Sequence, residues 1–571
     1  MDALGTISVA AAAAALAFLG AKVPRRLALS RAKHPSLTGH VRMAKRIAAR
    51  LPFYEYGEAE FASVDGASDE VAARRRAGFA RLSALYRERH ARTRAMTEDA
   101  KAGISDLQFT GRYRVPFQFS RIVREALSAG TFLQAASGVE VEDLDGNRFY
   151  DLTGSYGVNV LGTDAYRDCI REGAGAVEAL GPVLGALHPV VADNVRRLRA
   201  ISGMDEVSFH MSGTEAVMQA VRLAQYRTGR RRIVRFCGAY HGWWGDVQPG
   251  IGNPRPANDT LTLADLSERT LRVLATRRDI ACVLVNPIQA MHPNGGAPSD
   301  GSLVDSGRHA AFDREAYARW LGRLREVCTA RGIVLILDEV FVGFRLAPGG
   351  AQEYFGVRAD LVTYGKTLGG GLPIGVLCGR HALMQRFRED RPGDICFARG
   401  TFNAHPYVMG AMNAFLRRLE TPEVRDLYAD LDGRWTTRAA ALNRRLDAGG
   451  LPVRVVAMSS VWTVLYTKPA RYNWLLQYYL RLEGLALSWV GTGRLIFSLN
   501  YTDADIAAVT ERFVAGARAM EADGWWAGPA TTDKAIRRGV LREMLAVRWR
   551  DLRGRSRPAR DGAGREAMPA E

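Results

Sequence analysis

Lysine is nearly missing from this chain: of 78 basic side chains only seven are lysine, and the rest are arginine. They are Lys22, Lys33, Lys45, Lys101, Lys366, Lys468 and Lys534, so one lysine, Lys366, serves the whole stretch between residues 101 and 468. The scarcity narrows any amine chemistry to a single candidate, because a guanidinium stays protonated while a buried lysine shifts its pKa readily. Cysteine is sparse as well. Cys169, Cys237, Cys282, Cys328, Cys378 and Cys396 are scattered, without a CxxC pair, which argues against a disulfide framework or a structural zinc and for a reducing compartment. Acidic residues are outnumbered, giving a net charge of +18, but part of the arginine excess is read as genomic composition. No nucleic-acid partner is expected from it. An apolar fraction of 47% and a charged fraction of 24% exclude a disordered chain, and 571 residues allow two or more domains.

Long apolar runs are absent but for one. Residues Leu4 to Val23 approach the roughly 20 residues that a membrane span needs, although alanine and glycine dominate them. The cations Lys22, Arg25, Arg26, Arg31 and Lys33 come after the run, which by the positive-inside tendency would keep the body cytoplasmic. A membrane-associated helix and a helix packed on the protein are the two expectations. From residue 25 to about 105 the chain reads as helical. Within it, Arg74 to Arg94 spaces Phe79, Leu82, Leu85 and Tyr86 along one face and reads as a solvated amphipathic helix. Around Asp145-Gly146, two alternating runs predict a hairpin.

From about 180 to 420 short apolar runs alternate with helical stretches. Strands are predicted at 206–210, 232–236, 281–285, 332–337 and 361–364, with a helix from Glu215 to Tyr226 among the intervening segments. Nearly continuous β-branched strands alternating with helices imply an α/β fold with a mostly parallel sheet covered on both faces. A smaller α+β region follows. The end of the chain, Lys534 to Arg560, holds ten basic and two acidic residues, with apolar residues at helical spacing.

In such sheets ligands sit at the carboxyl ends of the strands, and four motifs fall there. Ser212-Gly213-Thr214 opens a helix and offers either a phosphate cradle or a plain N-cap. Tyr240, between Gly238 and Gly242, offers an aromatic face or a packed turn. Asp338 leaves a buried strand and needs a partner, a protonated ring nitrogen or an arginine. Lys366 follows a strand and precedes three glycines, where desolvation would bring its amine towards a reactive range. A phosphate cradle, a stacking aromatic, an acid for a pyridinium nitrogen and a Schiff-base lysine together match the needs of pyridoxal 5′-phosphate.

SGTEA, GAYHG, RGTF and the run DEVFVGFRLAPGGAQEYFGVRADLVTYGKTLGGGLPIG resemble the class III aminotransferases of PLP fold type I, and among them the glutamate-1-semialdehyde aminomutases. The resemblance spans about residues 110 to 525. It implies that Lys366 carries the cofactor, Asp338 binds the pyridine nitrogen, Tyr240 and Val340 cover the two ring faces, and Ser212, Gly213 and Thr214 hold the phosphate. It also implies that Thr401 reaches the phosphate from a second subunit, hence a homodimer. The expected organisation is an apolar segment (1–24), a helical extension (25–110), an N-terminal part of the fold (111–179), a large cofactor-binding domain (180–425), a small C-terminal domain (426–530) and a basic tail (531–571).

Two positions depart from the family pattern. Asn286-Pro287 stands where Glu-Pro is common, and Ala404-His405-Pro406 replaces GNP in a manner similar to the aminotransferase domains of polyketide–peptide synthetases. Trp243 and Trp244 read as core packing or as an apolar substrate wall. The implied activity is transfer of an amino group from an amino-acid donor to a carbonyl acceptor. An aminomutase, an acyl-condensing synthase and a retired membrane scaffold are the alternatives. The apolar start and basic tail suggest an anionic membrane surface or an acyl carrier protein as a further partner.

Overall fold

The computed structural model describes residues 20, 22–112, 115–255, 259–291, 310–488 and 493–553. At its centre is a seven-stranded sheet. In chain order its strands are β1 (Glu206–His210), β2 (Arg232–Phe236), β3 (Thr260–Leu263), β4 (Ile280–Val285), β5 (Val334–Asp338), β6 (Leu361–Gly365) and β7 (Gly375–Gly379). Their spatial order is β1-β7-β6-β5-β4-β2-β3. All neighbours are parallel except those of β7, which runs antiparallel to both β1 and β6. β4, β5, β6 and β7 are buried along their whole length, as expected of strands covered on both faces. The fold is thus the expected α/β type.

Two strands escape the sequence pattern. β3 (TLTL) alternates threonine with leucine and looks half-solvated, yet it is buried along its whole length, with Lys33 bridged to Leu263 at its edge. β7 (GVLCG) begins and ends with glycine directly after a glycine-rich loop, so nothing in its composition separates strand from turn. β5 also starts later than predicted. Gly332, at φ 56°, closes the helix Arg314–Arg331, and Asp338 is the last residue of the strand rather than the first of a loop.

The predicted hairpin forms from Glu140–Asp143 and Arg148–Asp151, joined by Leu133–Ser137 on one side and a parallel Leu485–Ala486 on the other. A three-stranded antiparallel sheet, Val453–Met458, Val461–Tyr466 and Arg494–Ile496, lies with the helices Leu431–Ala448 and Asp503–Ala522. The smaller part of the fold therefore draws on both ends of the chain.

The expectation of a solvated helix at Arg74 to Arg94 is corrected. The helix Asp69–Arg89 ends at His90, and Ala72, Arg75, Leu82 and Tyr86 on it are buried. Arg75 is fully buried. Its Nε donates to the Gly524 carbonyl (2.8 Å), and its two terminal nitrogens grip the Asp65 carboxylate at 2.8 Å each. A periodicity count sends an arginine outward, so the inward face was misread. The terminal helix Asp533–Arg553 also docks: Ile536 and Val540 are buried, and Glu543 accepts from Tyr54 (2.8 Å), Tyr56 (2.5 Å) and Arg471 (3.0 Å). Residues Leu4 to Val23 lie, but for their end, outside the described residues. Among the described residues no helix is long and apolar enough to cross a membrane.

Candidate active site

Sheet register assembles the site. β1, β2, β4, β5 and β6 all end on one edge, and β7 starts there, with Gly375 paired to both His210 and Gly365. Ser212, the Gly238–Gly242 turn, Asn286, Asp338 and Lys366 therefore emerge side by side.

Pairing of Asp338 with Thr363 across β5 and β6 lets the Thr363 hydroxyl donate to Asp338 Oδ1 at 3.3 Å. Oδ1 also accepts from the Val340 backbone N–H at 3.2 Å, and Oδ2 accepts from Nδ1 of His241 at 2.7 Å. The carboxylate is thus buried and oriented from three sides. Complete burial lowers the His241 pKa, against the pull of Asp338 and with the push of Arg235. Its Nε2 is buried without a hydrogen-bond partner. Neighbouring Glu339 differs. Its two oxygens accept the backbone N–H groups of Ala351 (2.6 Å) and Gln352 (3.2 Å), and burial pushes its pKa up to about 8. It braces the chain around Ala351 and Gln352.

Lys366 follows β6 at φ 48°, a left-handed conformation that costs energy for a non-glycine residue. Burial lowers its amine pKa, partly opposed by the negative charge of Asp338. Its stem passes Gly157, where an added Cβ would lie 3.3 Å from Cδ of Lys366 and 2.7 Å from the Phe341 ring. Only a residue without a side chain leaves that path open.

Val340 ties the motifs together. A Cβ on Gly213 would lie 2.6 Å from its Cγ1, and one on Gly365 3.2 Å from the same atom. One on Gly242 would lie 2.5 Å from the Thr214 hydroxyl. Glycine at these positions lets the strand-end loops approach one another more closely than any side chain would allow. Ser212 caps the helix Gly213–Thr228, accepting from Glu215 N–H at 3.2 Å, while the N–H groups of Gly213 and Thr214 have no intrahelical acceptor. Tyr240 is 59% exposed at the mouth, and its loop is held by Asn286 Nδ2 donating to the Tyr240 carbonyl at 3.2 Å. Partial burial and the nearby Asp338 raise its pKa.

Thr401 stands apart. It lies exposed in the turn before the helix Pro406–Arg418, and no hydrogen bond of the described residues joins it to Ser212, Gly213 or Thr214. The core reading holds for Trp244, which packs on the smaller apolar cluster, and fails for Trp243, which is 74% exposed beside Tyr240.

A family model for class-III aminotransferases matches residues 123–245 and 312–515, more than half of the chain and every motif described above. The chain belongs to the class-III aminotransferase family. It is a pyridoxal-phosphate-dependent enzyme of fold type I. Glutamate-1-semialdehyde 2,1-aminomutase of Geotalea daltonii is 32% identical over 395 residues, covering 65% of this chain and 85% of that protein. The same enzyme of Nitratidesulfovibrio vulgaris is 32% identical over 398 residues, covering 66% and 90%. Among solved structures, a β-phenylalanine aminotransferase of Variovorax paradoxus matches with TM-score 0.60 and 27% identity, over 80% of this chain and 99% of that one. The class-III match leaves out residues 246–311, which include Asn286.

The cofactor suits the residues present. Its phosphate needs N–H donors at a helix start, its ring nitrogen needs an oriented carboxylate such as Asp338, and its aldehyde needs an amine partly withdrawn from water. Sequence reasoning missed His241 and Thr363 as the supports of Asp338. His241 sits beside Tyr240 inside a motif already singled out, which was the available signal. Thr363 needed the β5–β6 register.

Proposed function

We propose that this aminotransferase moves an amino group from an amino-acid donor to a carbonyl acceptor, with Lys366 as the proton-transfer residue and Asp338 as the anchor of the cofactor's ring nitrogen. The supporting observation is one half-buried amine, alone in the central chain, beside one buried carboxylate held by His241, Thr363 and the Val340 N–H. Pyridoxal phosphate, when bound, supplies the electron sink that makes the α-proton removable. Lys366 Nζ, whose pKa burial lowers, is the group placed to take up that proton in the first half-reaction and to deliver one to the acceptor carbon in the second. His241, neutral by burial, donates from Nδ1 to Asp338 and so keeps the carboxylate aimed into the site. Ser212, Gly213 and Thr214 hold the phosphate, Tyr240 and Val340 flank the ring, and Thr401 reaches the phosphate of a partner subunit in a homodimer.

Borohydride reduction of the loaded protein followed by peptide mapping tests the assignment. The cofactor is expected on Lys366 and nowhere else. Exposure to amino acids should then shift the cofactor's absorbance, and the donors that shift it define the first half-reaction.

A second reading, return of the amino group to the same skeleton, rests on the two relatives named as aminomutases. Analysis of products from a labelled donor decides: label in a separate acceptor supports transfer, label retained in one skeleton supports the mutase.

For the acceptor we infer a long-chain or carrier-bound carbonyl compound presented at an anionic surface. The terminal helix supports this: Leu541, Leu545 and Trp549 recur every four residues on its outward side, all exposed, among Arg538, Arg542, Arg548 and Arg550. Flotation with anionic liposomes at low salt should carry the full chain upward and leave behind a form truncated after residue 530. Equal flotation of both removes the inference.

A further inference from the structure

Far along the chain from Lys366, a cavity of about 280 Å³ opens where the end of the helix Asp69–Arg89, the hairpin strand Arg148–Asp151 and the smaller domain meet. Four guanidinium groups line it, Arg89, Arg148, Arg481 and Arg512, against one carboxylate, Glu483. Like charges gathered in a concavity repel one another unless a counter-charge enters it.

Two of them are fixed by the backbone. Arg89 donates to the Leu482 carbonyl at 3.0 Å, and Arg512 to the Gly484 carbonyl at 3.2 Å, with its guanidinium over the Tyr150 ring at 4.9 Å. Gly484, at φ 80°, makes room for Arg512, because a Cβ there would strike the guanidinium. The other two keep donors available. Arg148 stands 3.8 and 3.5 Å from Glu140 and Glu142 and is 66% exposed, and half-buried Arg481 has no ion-pair partner among the described residues. His90 behind them adds no charge: burial lowers its pKa, against its 3.0 Å contact with Asp143, and Arg481 lowers it further.

We propose that this cavity binds a small phosphate-bearing anion, gripped by the forked donors of Arg148 and Arg481 and steadied by Arg89 and Arg512. Guanidinium forks match phosphate oxygens two at a time, and such charge-assisted bonds are about twice as strong as neutral ones. The cavity is wide enough for a diphosphate or the head of a phosphate ester. Arg148–Asp151 runs directly into Thr153–Gly157, and Gly157 is the residue against the Lys366 stem.

The test is calorimetric titration of the cofactor-loaded enzyme with pyrophosphate at fixed ionic strength, where the cofactor already fills its own phosphate cradle. One saturable site per chain is expected, weakened at least tenfold by the double variant Arg148→Gln, Arg481→Gln. Arg454→Gln, which removes a surface arginine paired with Asp447, should leave binding unchanged. If the double variant fails to fold, Arg148→Gln alone is read, since that side chain is mostly solvent-exposed. Absence of saturable binding to the unaltered enzyme overturns the proposal, and so does an equal loss in Arg454→Gln. Citrate competing as well as pyrophosphate overturns the phosphate assignment.

Discussion

Two regions of this enzyme draw titratable side chains out of water, and they treat them in opposite ways. At the strand ends, half-buried Lys366 has no hydrogen-bond partner among the described residues, and fully buried His241 keeps Nε2 unpaired. Where the extension helix and the terminal helix clasp the smaller domain, Arg75 has Asp65, the Ala62 carbonyl and the Gly524 carbonyl as partners at 2.8–2.9 Å. Arg471 there has Glu543 and Tyr56. A titratable group with every atom satisfied holds a fold together. One with atoms left over is poised for a ligand or a reaction.

Substitutions should separate the two kinds. Lys366→Ala is expected to lower turnover by about 10⁴-fold or more, the upper range for a positioned acid–base group, with little change in the melting temperature. A melting temperature that collapses with activity would place Lys366 among the structural charges instead. Asp338→Asn should cost about 10²- to 10³-fold in kcat with the cofactor still bound, because the amide keeps the shape but not the charge. Near-normal kcat in that variant would mean that the ring nitrogen has another partner.

The clasp should respond in reverse. Arg75→Met leaves the Asp65 carboxylate and two carbonyls without their donor and should lower stability by about 3–5 kcal/mol, while kcat per folded molecule stays within about twofold. Urea denaturation alongside kinetics on the same sample checks both halves.

Glu543 gives the smallest and most conditional effect. Burial pushes its carboxyl pKa up, but hydrogen bonds from Arg471 and Tyr56 outweigh that and hold it below the ordinary 4.5. The folded value lies under the unfolded one, so this stabilisation is full above pH 4.5 and is lost as pH falls through the depressed folded value. Glu543→Gln should cost on the order of 1–2 kcal/mol near neutrality and nothing at lower pH, read as release of the terminal helix by hydrogen exchange. A loss that does not vary with pH would mean that shape, not charge, docks the helix.

How much of this was legible in the sequence follows the same division. β1 and β2 fall on the predicted residues, and Asp338 and Lys366 stand at the predicted strand ends, because buried parallel strands read as continuous apolar runs and their ends as abrupt breaks. β3 and β7 were not legible, since threonine alternation and terminal glycines carry no strand signal of their own. His241 could have been suspected beside Tyr240. Arg75 could not: its burial is decided by Gly524 and Asp65, and local spacing carries no trace of a partner 449 positions away.

That separation has a consequence for how the molecule is made. At a synthesis rate of about 5–20 residues per second, Arg75 leaves the ribosome roughly 20 to 90 seconds before Gly524 exists to receive it. Through that interval the inward side of its helix, with Leu82 and Tyr86, has no surface to close upon, since Trp525 and the Tyr478 carbonyl also arrive late. The first helices of this enzyme are born early and assemble last, and a nascent chain that must keep an apolar stripe waiting is a natural client for a holding chaperone.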